Sequence, residues 1–160
     1  MADHARLIAL IAELTAIAGL SGHEDRVRAA IAAHLETMGI AARSDRLGNL
    51  IATLRGGEDA PTVMLFTHMD QLGFVVRKIE ADGRLRLERL GGVPERALAS
   101  QAVTVATRHG DIPGVIANKS HHATAPEEKY QVLKTAELSV DCGFASAQEA
   151  AMAGVAIGAR

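Results

Sequence analysis

The spacing of apolar residues predicts two helices at the start of the chain. Their apolar positions recur at helical spacing, and they are Leu7, Ile11, Leu14 and Ala18 in the first helix and Val27, Ile31, Leu35 and Met38 in the second. Gly19 ends the first pattern and Gly39 the second, in the position that glycine favours after a helix. Asp3 is placed to cap the first helix, because its side chain can accept hydrogen bonds from free amides of the first turn.

The segment Ser21-Gly-His-Glu24 has the sequence of a capping box at the start of the second helix. In this motif the Ser21 hydroxyl accepts a hydrogen bond from the amide of Glu24, and the Glu24 carboxylate reaches back. Capping accounts for Glu24 without a catalytic role, so we expect it to be a structural residue.

A continuous apolar run follows Pro61 and ends beside two chemically useful side chains. The run over residues 63–66 is short and apolar, and its residue types are typical of a strand. It predicts a strand that is covered on both faces, as in a largely parallel sheet. His68 and Asp70 stand at its carboxyl end, two residues apart and so on one side of an extended chain. Open α/β sheets bind ligands at the carboxyl ends of their strands.

Two interpretations of His68 and Asp70 follow from this position. In the first, the His68 imidazole is a metal ligand, and the Asp70 carboxylate fixes its tautomer and ring orientation. In the second, the two side chains are simply solvated in the loop after the strand. From the spacing of the residues alone, the second interpretation is favoured.

The pattern changes after Asp70, and a domain boundary is predicted near Gln71. Short strands then follow at close intervals, over residues 72–79, 84–90, 102–107, 112–117, 137–140 and 155–158. Ala81-Asp-Gly83 is a strong hairpin signal between the first two, and Ser146 to Glu149 offers a second capping box. These signals predict an α/β beginning over residues 1–70 and a small, bent β-barrel or sandwich over residues 71–158.

Composition and charge exclude several classes of function. The chain has 160 residues, a formal charge of −2 and no basic block, so binding to nucleic acid through its phosphates is not expected. The amino terminus lacks the apolar core of a signal peptide, and no stretch reaches the length of a membrane span. A single cysteine, Cys142, cannot form an internal disulfide and fits a reducing compartment. A cytoplasmic protein with no membrane partner is therefore expected.

Eight short motifs follow one another in an order that resembles a known family. They are Ser21-Gly-x-Glu24, Asp45-x-x-Gly48-Asn49, His68-Met-Asp70-Gln-Leu-Gly73-Phe, Gly91-Gly92, Gly114-Val-Ile116, Asp141-x-Gly143, Ser146-x-x-Glu149 and Gly154-Val-x-Ile-Gly158. Together they resemble the tetrahedral and glutamyl aminopeptidases, dinuclear metallopeptidases that are also labelled endoglucanase or cellulase. The His-Met-Asp segment is the most specific motif, and the resemblance spans essentially the whole chain.

The resemblance implies a fold and a set of roles for particular residues. Residues 1–70 correspond to the amino-terminal part of a zinc-peptidase-type three-layer α/β catalytic domain, and residues 71–158 to an inserted β-barrel-like dimerisation domain. His68 corresponds to a ligand of one of two divalent metals, zinc or cobalt, and Asp70 to the carboxylate that orients it. The loop with His121 and His122 resembles a flexible segment that reaches toward a neighbouring subunit's active site, although two solvated loop histidines are the favoured explanation. His122 is therefore a further candidate site residue.

The chain also departs from the family, because it ends less than half-way through the family's sequence. The bridging Asp, the paired Glu residues and the remaining metal ligands lie beyond its end. A hydrolytic zinc site takes three protein ligands, so we expect this chain alone to bind at most one metal weakly and to lack peptidase activity. The family implies peptides as substrates and a homo-oligomer.

Other functions remain open from the sequence. A non-catalytic oligomerisation module and one chain of a split enzyme are the main alternatives. A glycosidase needs two carboxylates that flank the sugar bond, and the sequence does not place the candidates as such a pair; they are Glu24, Asp45, Asp70 and Asp141.

Overall fold

The computed structural model describes residues 4–57, 59 and 61–160 and shows a mixed α/β fold. The chain divides into two compact units, of which the first ends at Gln71 and the second spans Leu72–Arg160. Each unit contains its own antiparallel sheet. Among the described residues, no helix combines the length and the apolar character needed to cross a lipid bilayer.

Two helices and a small hairpin form the first unit. The elements are α1 (His4–Ala16), α2 (Asp25–Thr37), β1 (Ala42–Ser44) and β2 (Leu50–Ala52). Asp45 closes the turn between the strands, since its carboxylate accepts hydrogen bonds from the amides of Leu47 and Asn49 and from the Asn49 side chain. The two predicted helices are confirmed, and Asp3, the predicted cap of α1, lies outside the described residues.

The first unit has only a small core. No residue of α1 is buried, and Leu7, Ile8 and Ile11 each leave half or more of their surface to solvent. Leu20 and Val27 are the buried apolar side chains among the described residues of this unit. The apolar face of α1 therefore stabilises this unit less than its sequence pattern predicts.

The predicted strand over residues 63–66 is wrong for this chain. Residues 61–70 form neither helix nor strand, and the four apolar side chains from Val63 to Phe66 are 76% to 92% exposed. A buried strand needs neighbours on both edges and cover on both faces. The sheet of this unit consists of β1 and β2 alone, and neither pairs with residues 63–66.

The second unit is built on a curled five-stranded sheet. Its elements are β3 (Gly73–Ile79), β4 (Leu85–Leu90), β5 (Ala102–Thr107), β6 (Gly110–Ala117), β7 (Ser139–Asp141) and α3 (Ala147–Met152). The strand order is β3-β4-β7-β6-β5, and every pair is antiparallel. Three short 3₁₀ helices lie between the strands, at Glu95–Ala97, His121–Ala123 and Thr135–Glu137.

Local sequence signals account for the turns and for the helix of this unit. The predicted hairpin between β3 and β4 is confirmed, and Gly83 supplies the positive φ of 85° that its turn requires. Ser146 caps α3 as predicted, because its hydroxyl accepts a hydrogen bond from the amide of Glu149 at 3.2 Å. The Glu149 carboxylate completes the cap by accepting from the amide of Ala145.

The carboxyl-terminal segment bonds to both edges of the sheet. Residues 155–158 do not form the predicted strand. Instead, Gly158 donates to the carbonyl of Val76 at 2.8 Å, and the amide of Val76 donates to Ala159 at 2.7 Å. At the other edge, the amide of Ala106 donates to the carbonyl of Arg160. Main-chain groups of β3 and β5 that would otherwise face solvent are thereby satisfied.

The main hydrophobic core lies in the second unit. Leu85 on β4 is fully buried and stands opposite Val140 on β7 in the sheet register. The buried cluster consists of Val76, Leu85, Leu87, Leu98, Val105, Ile116, Leu138, Val140, Ala150 and Val155. Aliphatic side chains dominate it, as expected for a chain in which aromatic residues make up 2%.

Candidate functional site

The segment that carries His68 and Asp70 is anchored to the turn before α2. The amide of Gln71 donates to the carbonyl of Gly19 at 2.7 Å, and Leu20 and Gln71 form a parallel β-bridge. The Gln71 side chain also donates to the carbonyl of Thr15 at 3.1 Å. Residues 19–21 and 70–71 therefore run side by side, although they are far apart in the sequence.

His68 and Asp70 contact each other directly. Nδ1 of His68 lies 2.9 Å from Oδ1 of Asp70 and 3.2 Å from the Asp70 carbonyl oxygen. The His68 side chain is 82% exposed, and among the described residues none hydrogen-bonds its Nε2. An ionised carboxylate can only accept, so Nδ1 donates, and Nε2 of the neutral ring keeps its lone pair. This is the form in which an imidazole can bind a metal ion.

The second oxygen of Asp70 is bonded to Ser21. The Ser21 hydroxyl donates a hydrogen bond to Oδ2 of Asp70. This bond is the main influence that lowers the pKa of the Asp70 carboxyl; partial burial opposes it, and the hydrogen bond and charge of His68 add to the lowering. Asp70 is thus an anion at neutral pH with one partner on each oxygen.

The predicted capping box at Ser21 is wrong, and its failure explains why sequence reasoning missed Ser21 as a site residue. Glu24 is the residue at the amino-terminal cap of α2, which has no side-chain capping bond. The Glu24 carboxylate accepts instead from the amide of Gly22 at 2.7 Å. The Ser21 hydroxyl is therefore available to Asp70.

This arrangement offers a metal ion one suitable ligand, the imidazole of His68. The exposed Nε2 of His68 is chemically suited to zinc or cobalt. Within the residues that the structure describes, no group of three or more His, Cys, Asp or Glu side chains could hold a metal ion. The role of His68 as a ligand, with Asp70 as its orienting carboxylate, stays a prediction.

The remaining candidate carboxylates serve local structure. Glu24 and Asp45 bond to backbone amides in their own turns, and Asp141 accepts from the amide of Gly143 at 2.8 Å. Of the four, Asp70 is hydrogen-bonded to a histidine, His68. These local bonds account for the other three without a role in glycoside hydrolysis.

His122 lies in the second unit, on the 3₁₀ turn His121–Ala123. Its ring stacks edge-on against His121, with 5.7 Å between the centroids. His121, not His122, lines a cavity of about 490 Å³, together with charged residues that include Lys119 and Glu128. The predicted role of His122 in a neighbouring subunit's site stays a prediction.

Comparison with known proteins identifies the family. The sequence profile of the M42 glutamyl aminopeptidases matches residues 48–160, which include His68 and Asp70. The chain belongs to this family. The resemblance that the motifs indicated is thus confirmed, and Ser21 lies outside the matched range.

Two curated relatives illustrate the similarity in sequence. The glutamyl aminopeptidase of Lactococcus lactis is 34% identical over 148 residues, which cover 91% of this chain and 42% of the relative. The lysyl aminopeptidase of Pyrococcus furiosus is 35% identical over 143 residues, or 88% of this chain and 40% of the relative. The chain therefore spans less than half the length of these M42 relatives.

Solved structures show the same partial coverage. The TET aminopeptidase of a marine sediment Thaumarchaeota archaeon superposes with a TM-score of 0.86 at 31% identity, over 95% of this chain and 42% of that one. A Pyrococcus horikoshii TET1 peptidase, which can assemble into a tetrahedron or a large octahedral shell, superposes with a TM-score of 0.84 at 30% identity. The match covers 95% of this chain and 45% of that one. An endoglucanase of Thermotoga maritima superposes with a TM-score of 0.73 at 35% identity, over 92% of this chain and 42% of that one.

Proposed function

We propose that this M42 chain forms the amino-terminal part of a metal-dependent aminopeptidase that removes amino-terminal residues from peptides. His68 is one ligand of a site for two divalent metal ions, zinc or cobalt, and Asp70 orients its ring. The observation that carries this proposal is the 2.9 Å contact between His68 Nδ1 and Asp70 Oδ1 within the range that the family profile matches.

The chain's own residues prepare this ligand. Asp70 accepts a hydrogen bond from Nδ1–H of His68, so that Nε2 presents its lone pair to a metal ion. In such enzymes a bound metal pair supplies Lewis acidity and a water molecule of lowered pKa. The His68 side chain is exposed, which leaves its Nε2 accessible to a shared metal site.

The other ligands are proposed to lie in polypeptide corresponding to the part of the relatives that this chain does not cover. By itself the chain would bind at most one metal ion, weakly, and would not cleave peptides, because one imidazole is too few ligands for a hydrolytic site. Two observations on the first unit support the proposal that further polypeptide packs against it. They are the exposed apolar segment from Val63 to Phe66 and the exposed apolar face of α1. Both are surfaces that a further part of a three-layer catalytic domain would cover.

The second unit is proposed to be the barrel-like dimerisation domain, and the protein to be a cytoplasmic homo-oligomer. The carboxyl-terminal segment bonds to both edge strands, β3 and β5, which supports a closed sheet. The similar Pyrococcus horikoshii TET1 peptidase can assemble into a tetrahedron or a large octahedral shell. The single cysteine fits a reducing compartment.

A chimera tests the catalytic proposal. In the Lactococcus lactis glutamyl aminopeptidase, this chain replaces the part to which it aligns, and the product is assayed on short peptides with and without a chelator. We expect chelator-sensitive release of amino-terminal residues by the chimera and none by this chain alone. His68→Gln should abolish the activity, and His34→Gln, whose ring bonds to Glu13 on α1, should keep it.

Two results contradict the proposal. A folded chimera that hydrolyses peptides equally well with His68→Gln would exclude His68 as a ligand. Chelator-sensitive hydrolysis by this chain alone would show that it does not depend on further ligands.

A non-catalytic oligomerisation module is the second candidate, because the ten-residue core lies entirely in the second unit. This candidate predicts an oligomer whose assembly is unaffected by chelators and by His68→Ala. It also predicts a chimera that assembles but remains inactive. The peptide assay, applied to a chimera that light scattering shows to be assembled, separates the two candidates.

A further inference from the structure

We propose that Ser21 is a positioning residue for His68: its hydroxyl holds the Asp70 carboxylate so that Oδ1 accepts a hydrogen bond from Nδ1–H of His68 and Nε2 stays free for a divalent metal ion. This inference rests on the proposed function of His68. Ser21 does not touch the metal-binding nitrogen and acts only through Asp70.

Little besides Asp70 holds the His68 imidazole in place. The His68 side chain is 82% exposed, so packing does not restrict its ring, and Asp70 is its hydrogen-bond partner through Nδ1. A half-exposed aspartate can rotate its carboxylate about the Cβ–Cγ bond. With Ser21 on Oδ2 and His68 on Oδ1, both oxygens are engaged and the rotation is restricted.

The backbone places Ser21 beside Asp70 without help from the hydroxyl itself. Leu20 is buried and forms a bridge with Gln71, whose amide donates to Gly19 at 2.7 Å. A Cβ at Gly19 would lie 2.5 Å from Cγ2 of Val27, so residue 19 lies close against α2. The framework therefore persists when the Ser21 side chain is changed.

The consequence of losing the hydroxyl is a change of tautomer. A neutral imidazole in water prefers the form with its proton on Nε2, which cannot bind a metal through that nitrogen. The contact with Asp70 reverses this preference only while Oδ1 faces Nδ1. Removal of the Ser21 bond makes this orientation less populated, and a larger share of His68 carries its proton on Nε2.

The experiment measures the tautomer of His68 in the metal-free chain by long-range ¹H–¹⁵N correlation after ¹⁵N-histidine labelling, at a pH where the ring is neutral. The His68 signal is assigned from its loss in His68→Gln. Wild type should be mainly the Nδ1–H form, and Asp70→Ala should abolish this preference. Because it removes one solvent-exposed hydrogen bond to Asp70, Ser21→Ala should lower the Nδ1–H to Nε2–H ratio roughly five-fold.

A matched pair of variants separates the hydroxyl from the shape of the side chain. Thr and Val have nearly the same shape, so Ser21→Thr should retain the wild-type ratio and Ser21→Val should behave as Ser21→Ala. Thr37→Ala, which removes a hydroxyl that donates to the carbonyl of His34 on α2, should leave the His68 tautomer unchanged. The amide signals of Leu20 and Gln71 report whether the framework is intact in each variant.

The inference is overturned if Ser21→Ala and Ser21→Val keep the wild-type ratio with the framework intact, or if Ser21→Thr loses it. Because the readout needs neither metal nor substrate, failure of this inference can be distinguished from failure of the proposed function. In the chimera, Ser21→Val should raise the metal concentration needed for activity relative to Ser21→Thr. An altered tautomer in an enzyme that does not need His68 would instead refute the proposed function alone.

Discussion

One carboxylate oxygen of Glu95 accepts two hydrogen bonds from Thr135, a residue forty positions further along the chain. The Thr135 amide lies 2.9 Å and its hydroxyl 3.2 Å from Oε1 of Glu95. Thr135 is 8% exposed, so its polar groups have little access to water. The pair ties the 3₁₀ turn Glu95–Ala97 to the turn Thr135–Glu137 beside the core.

The first prediction concerns the pH dependence of stability through Glu95. The bond from the Thr135 amide is the main influence that lowers the pKa of Glu95 below 4.5, against the opposing effect of burial. A carboxylate whose pKa is lower in the folded state than in the unfolded state stabilises the fold at pH values above its unfolded-state pKa. This contribution is lost as the pH falls through its folded-state pKa. In Glu95→Gln, the free energy of unfolding should therefore fall less steeply between neutral pH and pH values below 4.5.

Urea titrations across this pH range measure the effect. Glu88→Gln, an exposed carboxylate on β4, is the matched control and should follow the wild-type curve. Parallel curves for wild type and Glu95→Gln would contradict the assignment.

The second prediction concerns the core of the second unit. Leu85 is fully buried against Val140, so Leu85→Ala should cost about 2–5 kcal/mol of the free energy of unfolding through lost burial and a residual cavity. Met152→Ala, at an exposed position of α3, should cost less than about 0.5 kcal/mol. Denaturant unfolding of both variants checks the difference, and equal losses would place Leu85 outside the core.

The third prediction concerns the exposed apolar segment of residues 63–66. The double change Leu65→Ser and Phe66→Ser should alter the free energy of unfolding by less than about 0.5 kcal/mol, because both side chains are almost fully exposed. It should also reduce self-association, since it removes an exposed apolar patch. Leu47→Ser, at an isolated position that is 89% exposed, should leave self-association unchanged.

The same double change should act differently in this chain and in the chimera. In the chimera, Leu65→Ser with Phe66→Ser should destabilise the protein and lower its activity if further polypeptide covers the segment. Light scattering, denaturant unfolding and the peptide assay report the three effects. Strong destabilisation of the chain alone would show that the segment is already packed.

The fourth prediction concerns metal binding. Because the described residues offer no group of three ligands, Co²⁺ added to the chain should broaden the NMR signals around His68 without saturation at equimolar metal. His68→Gln should remove this broadening, and His34→Gln, whose ring contacts Glu13 at 2.8 Å, should not. Tight, stoichiometric binding that persists in His68→Gln would contradict the assignment.

The sequence alone determined those features that depend on neighbouring residues. The spacing of apolar positions predicted α1 and α2, and Ala81-Asp-Gly83 predicted the hairpin, because helix and turn conformations are set within a few residues. Ser146 was identified as a cap for the same reason. The order of short motifs was sufficient to identify the family, since each motif is read directly from the chain.

Only the tertiary structure decided which partner a group takes when several are chemically equivalent. The Ser21 hydroxyl can satisfy a nearby amide or a distant carboxylate, and the bridge between Leu20 and Gln71 brings Asp70 within its reach. Residues 63–66 have the composition of a buried strand, but a strand is stable only beside others, and β1 and β2 do not pair with them. Contacts between residues far apart in sequence depend on how the whole chain packs, and local sequence does not specify that packing.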